Sequence, residues 1–483
     1  MSELRADVSE LHDLSALEQA RRMRRREVSP VELLAHYQAR TDRLDATVGA
    51  FITRTDDLAL AQARGAEQRI LDADADEDLG PLFGTVVPVK DLAFVAGVRC
   101  TLGSSTYDLT PSGDDHVVQQ MRAGGLTFNG KTNTPEFGLP CYTENAVAPP
   151  ARTPWDLTRS AGGSSGGAAA AVASGLASAA HGSDGGGSIR IPASVTGLVG
   201  LKPARGRVSN GPLRDAVGDL VHQGVLARTV RDAAALLEVM SGSFPDDPFA
   251  APPTPRGTLL AACDIEPGRL RIGRYAEPVV TRTDVDAHCL AAYEDASELL
   301  VSLGHVVEDI APPFGPDQVV AFEAVWSVLA CLTPVPAAHE ASLLPLTRWL
   351  RERGREIGGV ELATAVSMMR LLTRATIMAT AGYDAVLTPT LAALPAAVGG
   401  LRDDDDPAAD FEAQKRFTPF TATYNVTGLP AISLPLYWAQ VGDLTLPVGV
   451  QLVGRPFGEA ELLGLAAQLE AARPWHQRRP PLW

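Results

Sequence analysis

Apolar residues along this chain recur at two spacings, and the alternation between them outlines a fold. Between residues 11 and 75 the spacing is helical. It predicts helices over Leu14–Arg26, from Ser29 to about Asp45, and over Asp56–Ala75. Asp13 or Ser15 opens the first; Ser29 reads as an N-cap, Pro30 as the first helical residue and Glu32 as a first-turn acid. Val48–Thr53 is a candidate strand in this layer.

Beyond residue 80, short apolar runs bounded by turn residues predict strands. They fall at Thr85–Leu92, Leu126–Asn129, Leu198–Pro203, Val225–Arg228, Leu270–Tyr275, His305–Asp309, Tyr383–Thr388, Ala431–Leu434 and Val448–Leu452. Helical periodicity covers Asp114–Arg122, Ala168–Ala180, Val230–Met240, Asp284–Leu303, Thr418–Thr427 and Glu459–Glu470. Residues 317–377 are largely helical, broken at Pro334, Pro336 and Pro345. Strands near both ends predict one α/β domain over 1–483. Its parts are a helical layer at 1–75, a core segment at 80–240, a helical pocket-forming region at 317–377, and closing strands and helix at 380–483.

Charge and cysteine content narrow the function. A net charge of −16 without a basic block excludes a nucleic-acid groove. Cys100, Cys141, Cys263, Cys289 and Cys331 form no C-x-x-C pair, so neither a disulfide framework nor a zinc knuckle is expected. No signal-like apolar core opens the chain, and no run reaches the roughly eighteen apolar residues of a membrane span. The expectation is a cytoplasmic protein without membrane attachment.

Candidate chemistry concentrates at residues 160–190. One glycine-serine loop, Gly162-Gly163-Ser164-Ser165-Gly166-Gly167, precedes the alanine-rich segment, and a second, Asp184-Gly185-Gly186-Gly187-Ser188, lies after it. Glycine permits close approach to the main chain, and successive free N–H groups form a cradle for an oxyanion. Upstream, Lys90 ends an apolar strand. It reads either as a surface lysine or as a buried base.

Two motif matches mislead. Residues 125–132 fit the phosphate-binding pattern G-x-x-x-x-G-K-[ST], but a helix precedes the first glycine, and Pro135 interrupts any helix after Thr132. Gly162–Gly166 fits G-x-S-x-G, yet none of His222, His305, His339 and His476 sits in a distinctive loop, and His116 lies too early. His181 reads as a packing residue at the end of the alanine-rich helix.

The chain resembles the amidase signature family. The resemblance rests on Val87-Pro88-Val89-Lys90-Asp91, Gly130-Lys131-Thr132-Asn133-Thr134-Pro135-Glu136-Phe137-Gly138, the two glycine-serine loops, Gly200-Leu201-Lys202-Pro203 and residues 425–435. It implies a large central mixed, twisted sheet covered on both faces by helices. It also implies a Ser–Ser–Lys triad: Ser188 as nucleophile, Ser164 as a bridging serine after a cis Gly163–Ser164 bond, and Lys90 as base. Gly185, Gly186, Gly187 and Ser188 would form the oxyanion hole, supported by Gly163, Ser165 and an Asp184–Arg190 pair, with no cofactor and no metal.

Ser183-Asp184-Gly185-Gly186-Gly187-Ser188 departs from the more familiar threonine or isoleucine at the Gly185 position. The variant resembles the branch of cyclic-dimer hydrolases of 6-aminohexanoate and general acylamidases, and the extra glycine is expected to admit a wider acyl group. The implied substrate is a small linear or cyclic amide, and homodimers are common among such enzymes. The alternatives are an esterase on the same scaffold, or the amide-cleaving A chain of an aspartyl/glutamyl-tRNA amidotransferase, which requires partner chains and a glutamine-binding arginine. Pocket walls are expected from 317–377 and from loops near 135–150 and 415–425, with Tyr142, Trp326 and Phe420 as candidates by position.

Overall fold

The structure is a computed structural model describing residues 10–74, 77–212 and 217–483; the remainder of the expected N-terminal layer lies outside these. Local capping decides where that layer begins its helices. α1 (Ala16–Arg24) starts at Ser15, whose side chain accepts the Glu18 N–H. α2 (Pro30–Val48) has a reciprocal capping box between Ser29 and Glu32. β1 (Phe51–Arg54) and α3 (Asp56–Asp72) complete the layer.

β1 belongs to a three-stranded sheet of order β1-β3-β2, with β2 at Val89–Lys90 and β3 at Gly130–Thr132. Both are shorter than the apolar runs that predicted them. Pro88 has no N–H to extend β2, and Val86 and Thr127 make only an isolated bridge. α4 (His116–Ala123) connects them.

The alanine-rich stretch splits. α5 (Gly166–Ala173) ends early, and Ala179–Asp184 forms β4, every residue of it buried. Alanine favours helix, but the pairing of β4 with β6 overrides that preference. His181 therefore lies within a strand and not at a helix end. α6 (Arg190–Thr196), β5 (Val199–Lys202), β6 (His222–Ala227), α7 (Val230–Met240) and α8 (Thr258–Ala262) come next.

Then come β7 (Arg271–Arg274), α9 (Ala287–Ser302), β8 (Val306–Asp309), α10 (Val320–Leu332), α11 (Pro345–Glu356), α12 (Gly359–Thr380) and β9 (Ala385–Pro389). α13 (Pro407–Phe417) precedes α14 (Thr423–Val426), far shorter than the helix expected over Thr418–Thr427 because Pro419 holds the preceding turn open. The chain closes with β10 (Ala431–Val441), β11 (Leu444–Gly454) and α15 (Glu459–Ala472).

The large sheet has eight strands in the order β4-β6-β5-β10-β11-β9-β7-β8. β7 runs parallel to β8 and β9, and the other pairs are antiparallel, so the sheet is mixed. Helices cover both faces, as the resemblance implies. β10 and β11 form one long hairpin where two short strands were expected. Its outer end, Tyr437–Val441 against Leu444–Pro447, turns at Gly442 with φ +61°.

Candidate active site

Lys90 reaches the site from β2, and nothing around it favours a charge. The neighbouring carboxylate, Asp91, is committed elsewhere: it pairs with buried Lys131 at 2.9 Å and accepts the Thr101 N–H and hydroxyl. That pair also accounts for the phosphate-loop string, since its lysine is a structural cation. Fully buried Lys90 places Nζ 2.8 Å from Ser164 Oγ, 2.8 Å from Ser165 Oγ and 3.1 Å from the Ser183 carbonyl. Burial holds its pKa well below the ordinary lysine value, with only the Asp184 charge opposing.

Ser164 sits at a cis Gly163–Ser164 peptide bond. Its hydrogen-bond partner is Lys90 and not a histidine, so the G-x-S-x-G string is no nucleophile elbow. The two glycine-serine loops meet where the Ser165 N–H donates to the Ser188 carbonyl at 3.1 Å.

Asp184 organises the second loop. Its carboxylate accepts the Gly187 N–H at 2.7 Å, the Ile189 N–H at 3.1 Å, and two hydrogen bonds from Arg190 at 2.9 and 3.0 Å. Asp184 and Arg190 are both fully buried. Burial alone would raise the carboxyl pKa, but the Arg190 charge and hydrogen bonds hold it well below the usual carboxylate range. This geometry amends one expectation. The Gly187 N–H is taken by Asp184, leaving Gly185, Gly186 and Ser188 as the loop's candidate oxyanion donors. Gly187 instead supplies a backbone φ of +133°, and a β-carbon there would stand 2.3 Å from Thr421 Oγ1.

Sequence reasoning missed how Arg190 itself is held. Gln451 Oε1 on β11, Asn425 Oδ1 on α14 and the Thr421 carbonyl accept its remaining N–H groups at 2.6, 2.6 and 2.8 Å. Gln451 had a signal, as the one polar residue inside the apolar run Val448–Leu452. His181 lies behind Lys90: its Nδ1 accepts the Lys90 N–H at 3.3 Å, and Nε2 lies 2.9 Å from Gln223 Oε1. Burial lowers its pKa to about 4, against the Gln223 hydrogen bond.

A cavity of about 60 Å³ opens on Ser188 and Gly186, with Leu139, Phe322, Trp326 and Phe411 among its apolar walls. Trp326 thus lies where its position suggested. Tyr142 and Phe420 do not line it: Tyr142 donates to Asp410 at 2.6 Å behind the wall, and Phe420 is fully buried. The walls come from α10, α13 and the loop after Gly138. A larger cavity of about 610 Å³ beside Arg207 and Glu238 contains none of the candidate catalytic residues. Among the described residues, side chains able to share a metal converge at Glu10, His12 and His36, outside this site. No described helix is long and apolar enough to cross a membrane.

Fold and site define a class: a mixed α/β protein in which a buried lysine serves serines held between two glycine loops. A family model described as Amidase matches residues 32–463, and the chain belongs to the amidase signature family. It is 37% identical over 477 residues to a putative amidase, AmiB2, of Mycobacterium tuberculosis, covering 98% of this chain and 99% of that one. It is 36% identical over 495 residues to the 6-aminohexanoate-cyclic-dimer hydrolase of a Pseudomonas strain, covering 97% and 96%. A solved structure of 6-aminohexanoate cyclic dimer hydrolase superposes with a TM-score of 0.90 at 33% identity, covering 98% and 100%. The amidase-like chain of the glutamyl-tRNA(Gln) amidotransferase of Thermotoga maritima superposes at 0.75 with 28% identity, covering 96% of each chain.

Proposed function

We propose that this amidase-family hydrolase cleaves linear or cyclic carboxamides bearing an apolar acyl group, through a seryl acyl-enzyme. The observation that carries the reading is Lys90 Nζ at 2.8 Å from Ser164 Oγ in a fully buried setting that favours the neutral amine. A neutral Lys90 has two N–H bonds, for Ser165 Oγ and the Ser183 carbonyl, and one lone pair left for the Ser164 proton. Ser164 then accepts the proton of Ser188 as Ser188 Oγ bonds to the substrate carbonyl carbon.

Donors from Gly185, Gly186 and Ser188 receive the negative oxygen; each is worth about 3 kcal/mol in the transition state. As the C–N bond breaks, the relay's proton passes to the leaving nitrogen. Water then attacks the acyl-enzyme, its proton returns through the relay, and the acid departs with Ser188 restored. A strained or cyclic amide goes through the same steps and yields an amino acid product in one piece.

The pocket favours this over the amidotransferase reading. A glutamine site needs a free cation for the α-carboxylate, whereas the cavity's Lys415 is already paired with Glu323 at 2.6 Å and with Glu412. A panel of amides, cyclic amides, matched esters and glutamine tests the proposal. Wild type should hydrolyse apolar amides and Ser188→Ala should lose both turnover and labelling by a serine-directed probe. Preference for glutamine, or full turnover in Ser188→Ala, would overturn it.

A further inference from the structure

α12 has one face with a partner and one without. Ala365, Met369, Leu372 and Thr376 turn inward, and Ala365 and Met369 share an apolar cluster with Trp326. The opposite face carries Val360, Thr364, Met368, Leu371, Ala375 and Met378. Their spacing alternates between three and four residues, which makes one continuous stripe. All six are exposed, Val360 at 85%, Leu371 at 58% and Met378 at 75%. A contiguous apolar stripe along a helix roughly 33 Å long marks a contact surface, where a solvated face would carry charges.

We propose that this stripe is the interface between two copies of the chain, packed as antiparallel α12 helices about a two-fold axis between Ser367 and Met368. The stripe is its own complement under that operation. It sets Val360 against Ala375, Leu371 against Thr364 and Met368 against Ser367, a large side chain facing a small one at each level. A register one turn along sets Met368 against Leu371 and Thr364 against Ala375, large on large and small on small.

The charges agree. Glu361 and Arg374 flank the stripe on opposite sides. The two-fold separates each from its own copy by roughly 20 Å, about twice the screening length at physiological salt. Arg370 projects well off the stripe.

Sedimentation across roughly 0.1–50 µM protein tests this, a range that brackets a micromolar Kd. Wild type should be a dimer that dissociates on dilution. Leu371→Glu, at an exposed position that leaves the fold intact by circular dichroism, should weaken it roughly thirtyfold or more. Ser367→Cys, beside the axis, should form a disulfide-linked dimer under mild oxidation, located by peptide mapping, where wild type does not. A wild type monomeric throughout, or a dimer indifferent to Leu371→Glu and not trapped by Ser367→Cys, would overturn the proposal. So would a monomer that co-sediments with phosphatidylcholine vesicles through this face.

Discussion

Trp326 lies against the bare α-carbon of Gly185: a β-carbon there would stand 3.1 Å from Trp326 Cζ3 and 3.2 Å from Cη2. That is tighter than ordinary contact, so any side chain at this position displaces the indole that walls the cavity. Phe322, stacked on Trp326 at 5.3 Å, covers the next glycine in the same way. Gly185→Thr should lower kcat/KM roughly tenfold to a hundredfold for amides with bulky acyl groups, and less for short ones. Trp326→Ala in the same chain should restore part of the loss. Unchanged acyl preference would separate Gly185 from specificity.

Lys90 should set the acidic limb of activity. Because burial lowers its pKa, turnover should rise with pH as the ammonium loses its proton, with the limb well below the ordinary lysine value near 10.5. Lys90→Arg keeps the charge and cannot act as base, so kcat should fall about 10³-fold or more at every pH. Stability carries the same signature. The unfolded chain binds the proton that the folded site refuses, so wild type gains stability as pH rises toward 10.5 and Lys90→Met lacks that gain. Denaturant titrations of both chains at pH 7 and pH 9 measure the difference.

The Asp184–Arg190 pair should be costly to break from either side. Asp184→Asn leaves Arg190 buried without its counter-charge, and a loss of about 3–5 kcal/mol is expected at pH 7. The carboxyl is held below its unfolded pKa, so this contribution is complete at neutral pH and is lost only as pH falls through the lowered value. A double-mutant cycle with Arg190→Met should show strong coupling; additive losses would mean that the two act separately.

His181 should make the fold sensitive to mild acid. Its pKa is lowered to about 4 from 6.5, so the folded state refuses a proton that the unfolded state takes. Stability should fall between pH 6.5 and about 4, by at most about 1.4 kcal/mol per pH unit from this group. His181→Gln should flatten the slope in that window. An unaltered slope would place the acid sensitivity in another buried group.

What could be read from the chain divides along physical lines. α7 matched its predicted ends because a cap and a continuous amphipathic pattern agree there: Thr229 accepts the Asp232 N–H. The alanine run misled because alanine's helical preference is weak beside strand pairing, which depends on residues 222–227 more than forty positions away. Lys90, Ser164 and Ser188 were visible as a lysine in an apolar strand and serines in glycine loops. The commitment of the Gly187 N–H to Asp184 was not, because a sequence shows how many donors a loop has but not which are already taken. Tyr142 and Phe420 were misplaced for a related reason. Position near a loop does not say which face of the wall a ring occupies.

The strand order carries a consequence for how the protein comes into being. β10 and β11 occupy the middle of the large sheet, between β5 and β9, yet they are the last strands to leave the ribosome. Until residue 454 emerges, the two flanks of the sheet face each other across a gap. Gln451, which helps to hold Arg190, arrives with the strand that fills it. Nascent chains released before Leu444 should therefore hold Lys90 and both serine loops and still hydrolyse nothing. Translation itself becomes a timer that withholds a reactive serine until the molecule around it is closed.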